Sequence, residues 1–147
     1  MIVRGCEFPE DRHYHVEFNV WLRRETNGMV TLGITAFGCA LAGEFLSFMP
    51  KQIGAEFDAG RAVGMVEFFK TVGSVRTPIS CTLIASNAKV LADPALLARD
   101  PYGEGWLVRL KPKNWDGEAG SLVSGAAIAA AFEEAMRLED FEGNAAP

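Results

Sequence analysis

The stretch Gly64-Met65-Val66-Glu67-Phe68-Phe69-Lys70-Thr71-Val72-Gly73 decides how the rest of the chain is read. Taken with a period of two, Val66, Phe68 and Lys70 point one way and Glu67 and Phe69 the other, as in a strand. The apolar run predicts a strand over residues 62–69. It stops at Lys70, where a hairpin would reverse into a further candidate strand over residues 72–79. A lysine at such a tip is solvated and open to a modifying enzyme. By composition alone Lys70 is an ordinary turn residue, since lysine is mostly exposed in any fold. Periodicity places the side chain and says nothing about modification.

Working outward, residues 20–24 and 29–34 flank Asn27-Gly28, a pair suited to the two positive φ angles of a tight hairpin. Thr35 to Gly43 reads as a short helix, with Thr35 as N-cap and Gly43 as terminator. Strands are predicted over residues 44–49 (limited by Pro50), 53–57, 82–90 and 106–111, with a turn at Asp58-Ala59-Gly60. Asp93 to Arg99 reads as one or two helical turns with Pro94 at the first position. From Ser124 to Leu138 the chain is Ala-rich, and Ile128, Phe132 and Ala135/Met136 share one helical face, which predicts a C-terminal helix over about 122–139. Together these describe a mainly β chain with short helices: one domain over 1–147, a core over about 16–112, and a tail that frays from Glu142.

Composition narrows the function. The 147 residues carry a formal charge of −5, which argues against nucleic-acid binding, since that needs clustered Lys and Arg. No run of eighteen apolar residues suggests a membrane span. Residues 1–7 lack the basic start and apolar run of a secretory signal, so a cytoplasmic location is expected. The three cysteines, Cys6, Cys39 and Cys81, have no metal-ligand spacing and suit free thiols in a reducing compartment. His13 and His15 alternate around Tyr14 on one strand face, which is half a metal site without a recognisable third ligand. No set of residues groups into a catalytic constellation, so a non-catalytic role is expected.

Three motifs carry a resemblance to the H protein of the glycine cleavage system, over about Val20 to Pro112. Val66-Glu67-Phe68-Phe69-Lys70 resembles the Val-Glu-Ser-Val-Lys run whose lysine bears lipoic acid in that family. Asn87 with Leu91-Ala92-Asp93-Pro94-Ala95-Leu96 resembles the segment that follows it. Asp100-Pro101-Tyr102-Gly103-Glu104-Gly105-Trp106-Leu107 is similar to the family's Tyr-Gly-Glu-Gly-Trp signature almost residue for residue. The resemblance implies a barrel-sandwich hybrid of antiparallel strands with lipoic acid joined to Lys70 as an amide. It also implies recognition of Glu67 by a lipoate-attaching ligase. An extended lipoyl-lysine arm spans on the order of 14 Å, from standard bond dimensions, and raises the effective concentration of its cargo at each partner.

The sequence departs from the family at several points. Phe68 and Phe69 stand where small or aliphatic residues are usual. One of them is expected to face the core, or both to serve as docking contacts for a ligase or partner enzyme. Cys81 follows Pro78-Ile79-Ser80 where glycine is usual, and is expected to be buried and inert, like Cys39. The opening Gly5-Cys6-Glu7-Phe8-Pro9-Glu10-Asp11 and the run Lys70 to Gly73 resemble the H-protein-like lipoate-binding proteins of bacterial sulfur oxidisers. That branch implies transport of sulfur intermediates to a heterodisulfide-reductase-like complex. The alternative is aminomethyl transport between glycine decarboxylase and aminomethyltransferase, with dihydrolipoamide dehydrogenase reoxidising the arm. A biotin carrier is disfavoured, because its lysine sits between methionines and Lys70 sits between Phe69 and Thr71. A related module that has lost its cofactor is the remaining option.

Overall fold

Backbone pairing in the first third of the chain follows the expected hairpin, but with a longer turn. The computed structural model describes residues 1–69 and 71–143. Its first strands are β1 (Ile2–Val3), β2 (Cys6–Glu7), β3 (His13–His15), β4 (Val20–Arg24) and β5 (Val30–Ile34). Strands β4 and β5 pair antiparallel from Val20↔Ile34 to Arg24↔Val30. Their loop is closed by the Glu25 N–H donating to the Met29 carbonyl, and only Gly28 takes a positive φ, at +83°. The expected pair of positive φ angles at Asn27-Gly28 is therefore replaced by a three-residue loop, in which the Asn27 side chain accepts from the Met29 N–H.

The elements α1 (Ala36–Ala42), β6 (Phe45–Pro50), β7 (Glu56–Phe57), β8 (Ala62–Phe68), β9 (Thr71–Arg76) and β10 (Cys81–Ser86) follow. Helix α1 is bounded as expected: the Thr35 hydroxyl accepts from the Gly38 N–H, and Gly43 closes the helix at φ +82°. The predicted strand over 82–90 stops at Ser86. There Asn87 turns its side chain onto the Lys89 N–H and caps α2 (Ala88–Ala92) instead. A capping asparagine outweighs the apolar run, because it satisfies donors that a strand would leave open. Next come α3 (Leu96–Arg99), β11 (Val108–Pro112), α4 (Trp115–Glu118) and α5 (Ala127–Leu138). The C-terminal helix thus begins later than the expected 122. Val123 is held in an isolated two-way backbone bridge to Tyr14, with both hydrogen bonds at 2.8 Å.

Two antiparallel sheets face each other. One has six strands in the order β3-β4-β5-β11-β10-β7, the other three in the order β6-β8-β9. Between them lies the larger core, with Leu22, Leu32, Leu83 and Leu110 from the first sheet and Phe48, Val63, Val66 and Val75 from the second. A second cluster joins residues before position 16 to the C-terminal helix. Phe8 packs on Phe132 with ring centroids 4.2 Å apart, alongside Cys6, Tyr14, Trp21, Phe37 and Met136.

Tyr102 couples these parts. Its hydroxyl donates to the Glu7 carbonyl at 2.6 Å and accepts the Ala36 N–H at 3.0 Å, so one side chain joins the N-terminal hairpin to the start of α1. The neighbouring Pro101 carbonyl accepts from the Trp21 indole at 3.0 Å. The Tyr-Gly-Glu-Gly-Trp signature is therefore a scaffold turn. Tyr102→Phe should destabilise the fold by about 1–3 kcal/mol, because both backbone groups lose a partner. Urea unfolding would measure it, and an unchanged midpoint would refute the coupling.

Candidate functional site

Strands β8 and β9 form the ribbon anticipated from the sequence. Their pairing runs from Ala62↔Arg76 to Glu67↔Val72 and Phe68↔Thr71. Residues 69 and 70 are the whole connection between the last paired positions. Lys70 itself lies outside the described residues.

The ribbon's stem is divided as a period of two requires. Val66 is buried, while Glu67 on the opposite face is exposed and accepts a hydrogen bond at 3.2 Å from the Ser47 hydroxyl on β6. Phe68 is half-buried against the main core, edge-on to Phe45 with centroids 6.1 Å apart. Of the two aromatics, Phe68 is the one that packs inward, leaving its ring little to offer a docking partner. Phe69 is 65% exposed and sits at φ +49°. A bulky residue in the left-handed region costs on the order of 1–3 kcal/mol, so the turn there is held against a local preference.

Beside the ribbon is an apolar cavity of about 240 Å³. Its walls include Ile34 from β5, Leu41 and Ala42 from α1, Phe45 from β6, and Phe68 and Val75 from the ribbon. Sequence reasoning did not find this cavity. Its lining comes from six elements, Val20 of β4 included, and no local pattern relates them.

The histidines and cysteines take up structural positions. His15 stacks on Phe18 at 3.9 Å and its Nδ1 accepts the Phe18 N–H, while His13 packs edge-on to Trp115. Burial lowers the pKa of both. Among the described residues no group of three His, Cys, Asp or Glu is placed to hold a metal. No helix among them is long and apolar enough to cross a membrane. All three cysteines are buried and free. Burial pushes the Cys39 thiol up to about 12 and the Cys81 thiol up to about 11.

The ribbon packs on the six-stranded sheet, and its stem residues Val66, Phe68 and Val75 line the apolar cavity. The family assignment follows from comparison with known proteins. The family model for the glycine cleavage H-protein matches residues 12–135. "Glycine cleavage system H protein 2" of Aquifex aeolicus is 35% identical over 137 residues, covering 93% of this chain and 85% of that protein. The glycine cleavage system H protein of Mycobacteroides abscessus is 39% identical over 105 residues, covering 71% of this chain and 79% of its own length. The crystal structure of a glycine cleavage system H protein from Mycobacterium marinum superposes with a TM-score of 0.75 at 30% identity, covering 86% of this chain and 99% of that one. The chain belongs to the glycine cleavage H-protein family. Proteins of this family are carriers that bear lipoic acid covalently on a lysine.

The buried thiols have a measurable signature. A thiol whose folded pKa lies above its ordinary value of 9.0 holds its proton in the fold after the unfolded chain has lost it. The stability it contributes is complete below that value and is lost as pH rises toward about 11 for Cys81. Cys81→Ala should flatten the alkaline fall in melting temperature across that window. The native protein at neutral pH should leave all three cysteines unmodified by an aromatic disulfide reagent until denaturant is added. Rapid labelling of the folded chain would contradict their burial.

Proposed function

We propose that Lys70 carries the lipoyl group as an amide and that the chain ferries an aminomethyl group from glycine decarboxylase to aminomethyltransferase, with dihydrolipoamide dehydrogenase reoxidising the arm. The observation that carries this reading is the two-residue connection of residues 69–70, at the end of a ribbon whose stem is anchored in the core. The cavity wall supports it. An aliphatic arm needs an apolar surface to rest on, and Ile34, Leu41, Phe45 and Val75 provide one next to the ribbon. When attached, the lipoyl group supplies a disulfide that opens to a pair of thiols and takes up cargo on sulfur.

The chain's own residues then present and shelter. Glu67, turned outward and held by Ser47, offers a carboxylate three positions before Lys70 for recognition by the lipoate-attaching ligase. Phe69 offers an exposed aromatic beside the attachment point, suited to contact with the ligase or a partner enzyme. Three buried free thiols suit a reducing cytoplasm.

The sulfur-carrying reading shares Lys70 and differs in cargo and partner. It rests on residues 5–11 and 70–73, and the first of these segments lies outside the residues 12–135 that the family model matches. The relatives described above are named for glycine cleavage, so aminomethyl transport is preferred.

Incubation with a lipoate ligase, lipoate and ATP should add one lipoyl mass to the wild-type chain and none to Lys70→Arg. Glu67→Ala should slow the modification about tenfold, the value of one charged hydrogen bond at an interface. A lipoyl adduct on Lys70→Arg would overturn the attachment site. Glycine decarboxylase with labelled glycine should transfer label to the modified chain. Failure there, with turnover by a heterodisulfide-reductase-like complex, would move the assignment to the sulfur reading.

A further inference from the structure

The ring of Phe69 has a partner on another element, next to residues that line the cavity. It lies over Gly43, at the end of α1, so closely that a Cβ added to Gly43 would run into ring atoms Cε2 and Cζ. Gly43 also holds φ +82° and ψ −128°, a conformation that only glycine adopts readily. Position 43 is therefore kept bare for two reasons, and one of them is the aromatic ring of another element.

A two-residue hairpin connection favours a positive φ at its first position, and Gly or Asn meets that demand without strain. Phe69 meets it at φ +49° with a bulky side chain, so the ring must contribute something the turn alone does not need. Its position indicates what that is. Leu41 and Ala42 precede Gly43, Phe45 follows it, and all three line the cavity. On the ribbon side, Val66 and Phe68 line the same cavity just before Phe69. The Phe69–Gly43 contact thus pins the ribbon's tip to the cavity wall that α1 supplies.

We propose that Phe69 is a positioning residue for the lipoyl arm: its ring, seated on Gly43, latches the end of β8 to the end of α1, so that the arm favours the apolar cavity lined by the neighbouring residues of both elements. The proposal rests on Lys70 being the attachment point. The latch is an edge contact of a ring that remains largely exposed, so it biases the arm toward the cavity and does not enclose it.

The test uses the full-length lipoylated protein. A phosphine reduces the arm's disulfide and is itself oxidised to the phosphine oxide. Iodoacetamide then alkylates each arm sulfur, with loss of iodide and a proton, and intact mass follows the rate. Cys6, Cys39 and Cys81 are buried, so the arm's thiols are the reactive ones. Phe69→Gly removes the ring while easing the left-handed φ, and Gly43→Ala displaces the ring while leaving Phe69 in place.

Both variants should alkylate about three- to tenfold faster than wild type, as expected when an arm that spends most of its time against the wall is released. Phe69→Tyr should keep the wild-type rate. A purely structural role for the ring would lower the melting temperature and leave the alkylation rate alone. Lipoylated Phe69→Gly reacting at the wild-type rate would overturn the latch, even if Gly43→Ala failed to fold. A wild-type chain that gains no lipoyl mass would instead overturn the reading of Lys70, so the two failures are distinguishable.

Discussion

A two-stranded ribbon is at best marginally stable in water, because one exposed hairpin buries too little apolar surface to offset the entropy of ordering it. The β8–β9 ribbon is stable because its stem is part of the core. Val66 and Val75 are buried, and Phe68 is wedged against Phe45. On the far side β6 pairs with β8 from Pro50↔Gly64 to Phe45↔Phe68, so the ribbon is the outer part of a three-stranded sheet packed face down on the six-stranded one. The connection at residues 69–70 inherits its position from that burial. Burial of the apolar stem, worth roughly 25 cal/mol per Å², holds the base of the ribbon in place.

The second core sets the opposite wall of the site. Helix α1 lies between Phe37, which faces the Phe8–Phe132 cluster, and Leu41 and Ala42, which face the cavity. Tyr102 fixes where that helix begins and Gly43 where it ends. The scaffold turn around Tyr102 and the ribbon tip are far apart in sequence, yet they act on the two ends of the same short helix. Arg12 reinforces the arrangement: its guanidinium lies 4.5 Å from the Trp21 ring and donates to the Tyr102 carbonyl at 2.9 Å. A charge so deeply placed is tolerated because the Asp11 carboxylate, 3.1 Å from its Nε, pairs with it while an aromatic face and a backbone acceptor take over from water.

The chemistry of a carrier asks for little from the protein's own titratable groups. Cys39 and Cys81 are kept protonated by burial, and burial lowers the pKa of His13 and His15. A domain that bears a disulfide-opening group gains from this, because its own thiols cannot exchange with the arm.

Several features were legible in the sequence because they depend on neighbours along the chain. The alternation of Val66, Glu67 and Phe68 set the faces of β8, and Thr35 and Gly43 bounded α1 through caps closed within a single turn. The spacing of Ile128, Phe132 and Met136 marked the buried face of α5. Other features were decided by contacts between distant segments. The bridge from Val123 to Tyr14 delayed the start of α5, and the side chain of Asn87 converted the end of an apolar run into α2. Which of Phe68 and Phe69 would turn inward was settled by Phe45 on β6 and Gly43 at the end of α1. Local chemistry determined the faces of β8 and the caps of α1. The cavity, and the contact of the Phe69 ring with Gly43, came from packing between elements that no sequence period connects.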